Sequence, residues 1–75
     1  MVEGGLLMVN GDIVKQRRLE LGYSQTELAE RCGYASKTFI CHLEKGDIKD
    51  IPLSKAVLLA KALELTPTEL CKGNE

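Results

Sequence analysis

The chain has 75 residues, which suffices for one domain whose small core leaves only a few kcal/mol of net stability. Ten Lys and Arg against eleven Asp and Glu give a formal charge of −1, so the overall basic balance typical of nucleic-acid binders is missing, and an aromatic content of 4% argues against binding single strands by base stacking. Three cysteines indicate a reduced compartment, and the apolar run at 6–9 is too short for a signal or membrane-spanning segment, so we expect a cytoplasmic protein without a membrane contact.

The first two predicted helices lie on either side of a glycine. Apolar residues at helical spacing predict a helix over 12–21, and Gly22 follows it as a stop signal. The stretch SQTE at 24–27 is a capping-box pattern, in which the serine hydroxyl and the glutamate carboxylate each satisfy a free backbone amide. The second helix therefore starts there, and Gly33 ends it.

A third helix is predicted between Ser36, which can cap it, and Gly46, which can end it. Ile40 and Leu43 form its inward face and clamp it onto the helix before Gly33, which is a helix-turn-helix pattern. With these two side chains facing inward, the 100° step per residue turns four others to the opposite side or its flanks: Lys37, Thr38, Cys41 and His42.

The remaining helices complete an all-α bundle of five. A polar loop leads to residues 50–52, which open a fourth helix, and TPTE at 66–69 is a second capping box that starts the fifth. No strand is predicted. We expect residues 10–72 to form the folded domain, residues 1–9 to be flexible or to contact a second subunit, and residues 73–75 to be loose.

Metal binding and catalysis are not expected. Three cysteines and one histidine could supply four zinc ligands, but Cys32, Cys41, His42 and Cys71 lack the paired short spacing of structural zinc sites. Adjacent helical residues do not face each other, so Cys41 and His42 cannot form a catalytic pair, and no glycine-rich phosphate loop occurs. We therefore expect no enzyme activity, no cofactor and no small-molecule ligand.

Three stretches resemble the Cro and phage-repressor type of helix-turn-helix regulators, also called the xenobiotic-response-element family. They are RRLELGYSQTELAERCG at 17–33, FICHLEKG at 39–46 and LSKAVLLAKALELTPTEL at 53–70. The resemblance implies a lambda-repressor-like five-helix domain from a bacterium or phage. Between Gly33 and Ile40 the chain has one residue more than the commonest family form, so family positions are counted back from Ile40.

The resemblance implies a sequence-specific regulator of transcription that binds double-stranded DNA, in the manner of a repressor, with helix 37–45 in the major groove. The base-contacting positions are Lys37, Thr38 and His42. The positions that contact the DNA backbone are Gln25, Ser36, Lys45, Lys49 and Arg17. Arg18 and Glu44 match a structural ion pair between the first and third helices.

Three questions stay open from the sequence. Phe39 can pack against Leu43 in the core, which we prefer, or offer its ring edge to a thymine methyl group. One such domain buries little surface, so we expect a homodimer on a palindromic operator, with its contact either near Leu65, Leu70 and Cys71 or in the stretch 6–9. The alternative function is a protein-interaction module, such as an antitoxin or an antirepressor-like partner, which the acidic pI of 5.8 favours.

Overall fold

The computed structural model describes residues 5–72, which form five helices and two short strands. In chain order these are β1 (Leu6–Met8), α1 (Gly11–Glu20), α2 (Gln25–Arg31), α3 (Thr38–Lys45), β2 (Asp50–Pro52), α4 (Leu53–Leu63) and α5 (Pro67–Leu70). The mostly helical architecture confirms the predicted fold class. The predictions for residues 1–4 and 73–75 lie outside the described residues. Within residues 5–72, every helix is too short or too polar to cross a lipid bilayer.

The two strands are the main departure from the sequence-based prediction. β1 and β2 pair antiparallel, with Leu7 opposite Ile51, and both of these side chains face the core. The N–H of Val9 donates to the Lys49 carbonyl at 2.7 Å and extends the ladder beyond β1. Residues 50–52 therefore form a strand and do not open the fourth helix, which begins at Leu53. Three-residue strands are too short to show the alternation by which a strand is recognised in sequence.

A single apolar core joins the helices and the strand pair. Its largest fully buried members come from all five helices, from β2 and from the residue that follows β1: Val9, Val14, Leu28, Ile40, Leu43, Ile51, Leu59, Leu63 and Leu70. Leu70 is 0% exposed, so the prediction that it contacts a second subunit is wrong. Leu70 is the buried residue of the four-residue helix α5 and lies in the core of this chain.

Helix α1 approaches α3 very closely at Gly11. A Cβ atom on Gly11 would overlap the backbone carbonyl of Leu43 and would lie 3.1 Å from the Cα of Glu44. These are backbone atoms that cannot rotate away. The start of α1 can therefore rest on the end of α3 only because residue 11 has no side chain.

The capping predictions are met to different degrees. Before α5 the capping box is complete. The Thr66 hydroxyl accepts from the Glu69 N–H, and the Glu69 carboxylate accepts from the Thr66 N–H at 2.9 Å. The hydrogen bonds that Glu69 receives from the backbone and side chain of Thr66 lower the pKa of its carboxyl group. Before α2, Ser24 accepts from the Glu27 N–H at 3.0 Å, but the Glu27 carboxylate instead lies 3.5 Å from Arg31. Only half of the predicted capping box forms there, because an i,i+4 ion pair competes for the carboxylate.

Candidate nucleic-acid interface

Helices α2 and α3 form the helix-turn-helix pair that the sequence predicts. Leu28 and Ala29 of α2 and Ile40 and Leu43 of α3 are fully buried, which fixes the inner face of each helix. The chain turns after Gly33, whose φ of +85° is a left-handed conformation that suits glycine. The Tyr34 N–H then donates to the Ala29 carbonyl at 2.9 Å and closes the end of α2.

An aromatic stack fills the turn between α2 and α3. The rings of Tyr34 and Phe39 are stacked with centroids 4.5 Å apart, and the Lys55 ammonium of α4 lies 5.2 Å from the centre of the Tyr34 ring. The half-buried Phe39 therefore packs against Tyr34, a residue to which sequence analysis gave no role. The signal was present in the sequence, since two of the three aromatic residues of the chain stand near the ends of the lengthened turn.

The N-cap of α3 is one residue later than predicted. Lys37 occupies the N-cap position without a side-chain hydrogen bond, and the Ser36 hydroxyl accepts only the Thr38 N–H at 3.4 Å. Ser36, Lys37 and Thr38 are all exposed. The start of α3 thus presents three polar side chains side by side on the protein surface.

His42 is held one turn further along α3. Its Nδ1 atom lies 3.2 Å from the Asp47 carboxylate in the loop that follows the helix, and its side chain is 45% exposed. The loop is close because Gly46 ends α3 with a φ of +87° and turns the chain back, so that the Asp47 N–H reaches the His42 carbonyl at 2.9 Å. This pairing orients the imidazole and leaves its Nε2 edge as the part that can meet a ligand.

A buried polar network connects α1, α2 and α3 behind this surface. Arg18 donates to the Glu44 carboxylate from Nε at 2.7 Å and from a terminal nitrogen at 3.1 Å, and it also donates to the Tyr23 carbonyl at 2.9 Å. Gln25 donates from its side-chain amide to the same carboxylate at 3.1 Å. The Glu44 side chain is only 5% exposed, so its charge is compensated within the protein.

This network determines where Gln25 can act. One amide N–H of Gln25 is directed inward to Glu44, and a primary amide has a second N–H donor. Gln25 is also the first residue of α2, where backbone N–H groups point out of the helix end. The side chain is thus fixed by one donor at a helix N-terminus, an arrangement suited to an anion.

Arg17 is located elsewhere. Its Nε atom donates to the Leu63 carbonyl at 2.9 Å, and its terminal nitrogens lie 3.1 Å from Glu20 and 4.0 Å from Glu64. The guanidinium therefore binds the carbonyl end of α4, which attracts a cation. These contacts engage the guanidinium at the end of α4, so Arg17, which was predicted to contact the DNA backbone, is not among the contacts that we propose.

Lys45 and Lys49 flank the end of α3. Both side chains are exposed, and together with Gly11 and Asp12 they line a shallow depression where α1 meets α3. Across residues 5–72, Lys37, Lys45 and Lys49 have no carboxylate within ion-pair distance. Three of the predicted contact residues are therefore cations whose charge no neighbouring carboxylate compensates.

The cysteines do not form a centre of their own. Cys32 is buried, and this burial raises the pKa of its thiol to about 11, whereas Cys41 and Cys71 are half-buried. In the part of the chain that the structure describes, His, Cys, Asp and Glu side chains do not gather into a group of three that could hold a metal ion. Cys32 acts as a small core residue, as its place in the apolar cluster shows.

Known proteins show the same sequence pattern and the same fold. Residues 14–70 match the family model described as helix-turn-helix. No curated protein matches the chain significantly in sequence. A chain of the SinR–SinI protein complex superimposes with a TM-score of 0.77 at 28% identity; the match covers 87% of this chain and 62% of that chain, so our chain spans less than two thirds of its length.

Two further solved structures are bound to DNA. The regulator of biofilm formation SinR, a protein of Bacillus subtilis, in complex with DNA has a TM-score of 0.76 and 29% identity, over 83% of this chain and 97% of that one. The P22 c2 repressor in complex with a synthetic operator has a TM-score of 0.77 and 28% identity, over 84% and 92% of the two chains. Both similarities extend over more than four fifths of this chain.

Proposed function

The chain belongs to the Cro and phage-repressor type of helix-turn-helix DNA-binding regulators, and from that premise we propose that it reads a specific double-stranded operator by placing α3 in the major groove. In this role it acts as a repressor-like regulator of transcription. Lys37, Thr38 and His42 contact base edges. The DNA backbone is bound by Gln25, Ser36, Lys45 and Lys49.

The amphipathic character of α3 is the main observation that supports this proposal. Ile40 and Leu43 are 0% exposed, whereas Lys37, Thr38 and Lys45 are exposed on the remaining surface of the same helix. A major groove admits one α-helix and presents a distinct donor and acceptor pattern for each base pair. Lysine donates to guanine O6 and N7, and the threonine hydroxyl can donate or accept, so both match groups on base edges.

The charge distribution near α3 supports DNA binding despite the net charge of −1. Two acidic residues of this region are paired with arginines: Glu44 binds Arg18, and Glu27 lies 3.5 Å from Arg31. Paired carboxylates repel phosphate less than free ones, and the three lysines near α3 have no such partner among the described residues. A locally basic face on a nearly neutral protein is what phosphate binding requires.

The backbone contacts follow from the same geometry. Gln25 is at the N-terminus of α2, and Ser36 precedes the N-terminus of α3, so both lie where helix dipoles favour phosphate oxygens. Lys45 and Lys49 lie at the opposite end of α3 and can bind phosphates on the far side of the groove. These contacts fix the position of the domain and carry no sequence information themselves.

Specific binding by so small a domain calls for two copies. A single module buries little DNA-contacting surface, and family members reach specific affinity as dimers on half-sites one helical turn apart, about 34 Å. We therefore propose that the protein acts as a homodimer on a palindromic operator. The half-buried Leu65 and Cys71 are adjacent to the core, and the apolar stretch at 6–9 offers the more exposed surface.

Salt-dependent DNA binding tests this function without knowledge of the operator. Anisotropy titrations with a random duplex at about 50 mM and 200 mM salt should show affinity falling steeply with salt, because Lys and Arg release counterions from phosphate. Lys45→Ala should lower the slope of log K against log salt by about one. Lys61→Ala is the matched control, because Lys61 is exposed on α4 away from α3.

The protein-interaction module is the alternative that this experiment separates. A module that keeps the fold without the DNA contacts would bind no duplex at either salt concentration, and Lys45→Ala would behave like Lys61→Ala. That result would contradict the proposed function. A salt-dependent affinity that Lys61→Ala leaves unchanged and Lys45→Ala weakens would support it.

A further inference from the structure

Among residues 5–72, no backbone group pairs with the outer edge of β1. The register pairs residue 7 with residue 51, the Leu53 N–H donates to the Gly5 carbonyl at 2.6 Å, and the Val9 N–H donates to Lys49. In an antiparallel ladder, alternate residues direct their backbone groups to the partner strand. The backbone groups of residues 5, 7 and 9 thus face β2, so the N–H and C=O groups of Leu6 and Met8 point away from it.

The two edges of this sheet differ in their protection. On the outer edge of β2, the corresponding positions are Asp50 and Pro52, and a charged residue and a proline without an N–H both block further pairing. On the outer edge of β1, both positions carry an N–H and an uncharged apolar side chain. Leu6 is 67% exposed and Met8 is 45% exposed. Natural proteins usually protect such an edge, so an unprotected one indicates a partner strand.

We propose that β1 pairs antiparallel with β1 of a second copy of this chain and joins the two small sheets into one four-stranded sheet. This inference deepens the homodimer proposed above and rests on it. Pairing centred on Leu7 places Leu6 opposite Met8 of the partner subunit and Met8 opposite Leu6 of the partner subunit. The residues whose backbone groups point outward are therefore the ones that exchange hydrogen bonds.

The pattern favours a second copy over an unrelated strand, because the edge is complementary to itself. A two-fold axis through Leu7 satisfies both N–H and both C=O groups of Leu6 and Met8 on each chain at once. The opposed side chains are leucine and methionine, so apolar pairs form and no like charges meet. A three-residue pairing buries little area, so we expect a weak dimer that two adjacent half-sites on DNA would bring together.

Backbone amide exchange measured by NMR without DNA tests this pairing directly. In the monomer, Leu6 and Met8 amides exchange freely while the Leu7 amide is protected by Ile51; in the proposed dimer all three are protected. We expect protection at Leu6 and Met8 to rise with protein concentration. The pairing is contradicted by a dimer whose Leu6 and Met8 amides exchange at unprotected rates, or by a protein that stays monomeric even at about 1 mM.

Sedimentation of charged variants gives a second and independent readout. The double substitution Leu6→Lys and Met8→Lys should weaken dimerisation at least tenfold. Each new lysine would lie directly opposite a new lysine of the second copy, and like charges in opposed positions repel. Leu19→Lys is the matched control, since Leu19 is 58% exposed on α1 away from β1. Equal dimerisation of both variants would overturn the pairing. Neither of these two measurements contains DNA, so a negative result in them would not contradict DNA binding by α3. Likewise, a negative result in the salt titration would not contradict the pairing of β1 with a second copy.

Discussion

Arg18 of α1 and Glu44 of α3 form a two-point ion pair whose side chains are only 9% and 5% exposed. The same carboxylate accepts from Gln25 at the start of α2. One buried charge therefore sets the position of three helices relative to one another, including the two that form the DNA-binding pair. Removing one member of such a pair leaves the other charge buried without compensation.

Glu44→Ala should lower the free energy of unfolding by about 3 to 5 kcal/mol, because it strands the Arg18 guanidinium. For a domain of this size that corresponds to a fall of about 12 °C or more in melting temperature, followed by circular dichroism. Glu30→Ala is the control, since Glu30 is exposed on α2. Equal melting temperatures of the two variants would contradict the structural role of the pair.

Gly11→Ala should destabilise the protein by about 1 to 3 kcal/mol, although alanine is the better helix former, because the new Cβ overlaps the backbone of α3. Gln16→Ala, at an exposed position of the same helix, should be neutral or slightly stabilising. Urea unfolding of the two variants provides the comparison. A Gly11→Ala protein as stable as the parent would show that α1 and α3 are not in close contact there.

The three thiols should differ in reactivity. Burial raises the pKa of Cys32 from its ordinary value of 9.0 to about 11, so its nucleophilic thiolate is scarce at pH 8. We expect Cys41 and Cys71 to react with Ellman's reagent in the native protein and Cys32 to react only on unfolding. Reaction of all three thiols at one rate would contradict the burial of Cys32.

The same shift predicts a pH dependence of stability. Because the pKa of Cys32 is higher in the folded state, the unfolded state loses its proton first, and stability should fall as the pH rises from about 9 to about 11. Cys32→Val removes the thiol, so its unfolding free energy should fall less over this window than that of the parent. Parallel losses in the two proteins would place the cause in other groups.

Sequence alone predicts the helices of this protein well, because their ends carry local signals. Gly46 ends α3 in the left-handed conformation that the sequence suggests, and the box at 66–69 forms with both of its hydrogen bonds. The family and the fold class are confirmed for the same reason, since the helix-turn-helix pattern depends on spacings within a short stretch. Local physical chemistry is sufficient for features of this kind.

The features that sequence misses depend on contacts between distant segments. The β1–β2 pair joins residues 6–8 to residues 50–52, far apart in the chain, and neither strand has a recognisable pattern of its own. Arg17 finds the carbonyl of Leu63 only once α1 lies beside α4. The polarity of these residues predicts that they are partly exposed, but not which partner each one finds.

The measurement that tests the central claim most directly is selection of binding sites from random duplex DNA with the parent protein and the variants Lys37→Ala, His42→Ala and Lys45→Ala. Lys37→Ala should lose about 1 to 3 kcal/mol on the selected operator and relax the preference at one base position, because Lys37 reads a base edge. Selection with Lys45→Ala should return the parental motif but recover less DNA, because the lost Lys45 side chain contacts phosphate and not a base. If Lys37→Ala and His42→Ala both returned the parental motif unchanged, α3 would not read the operator from these residues, and the proposed docking in the major groove would be contradicted.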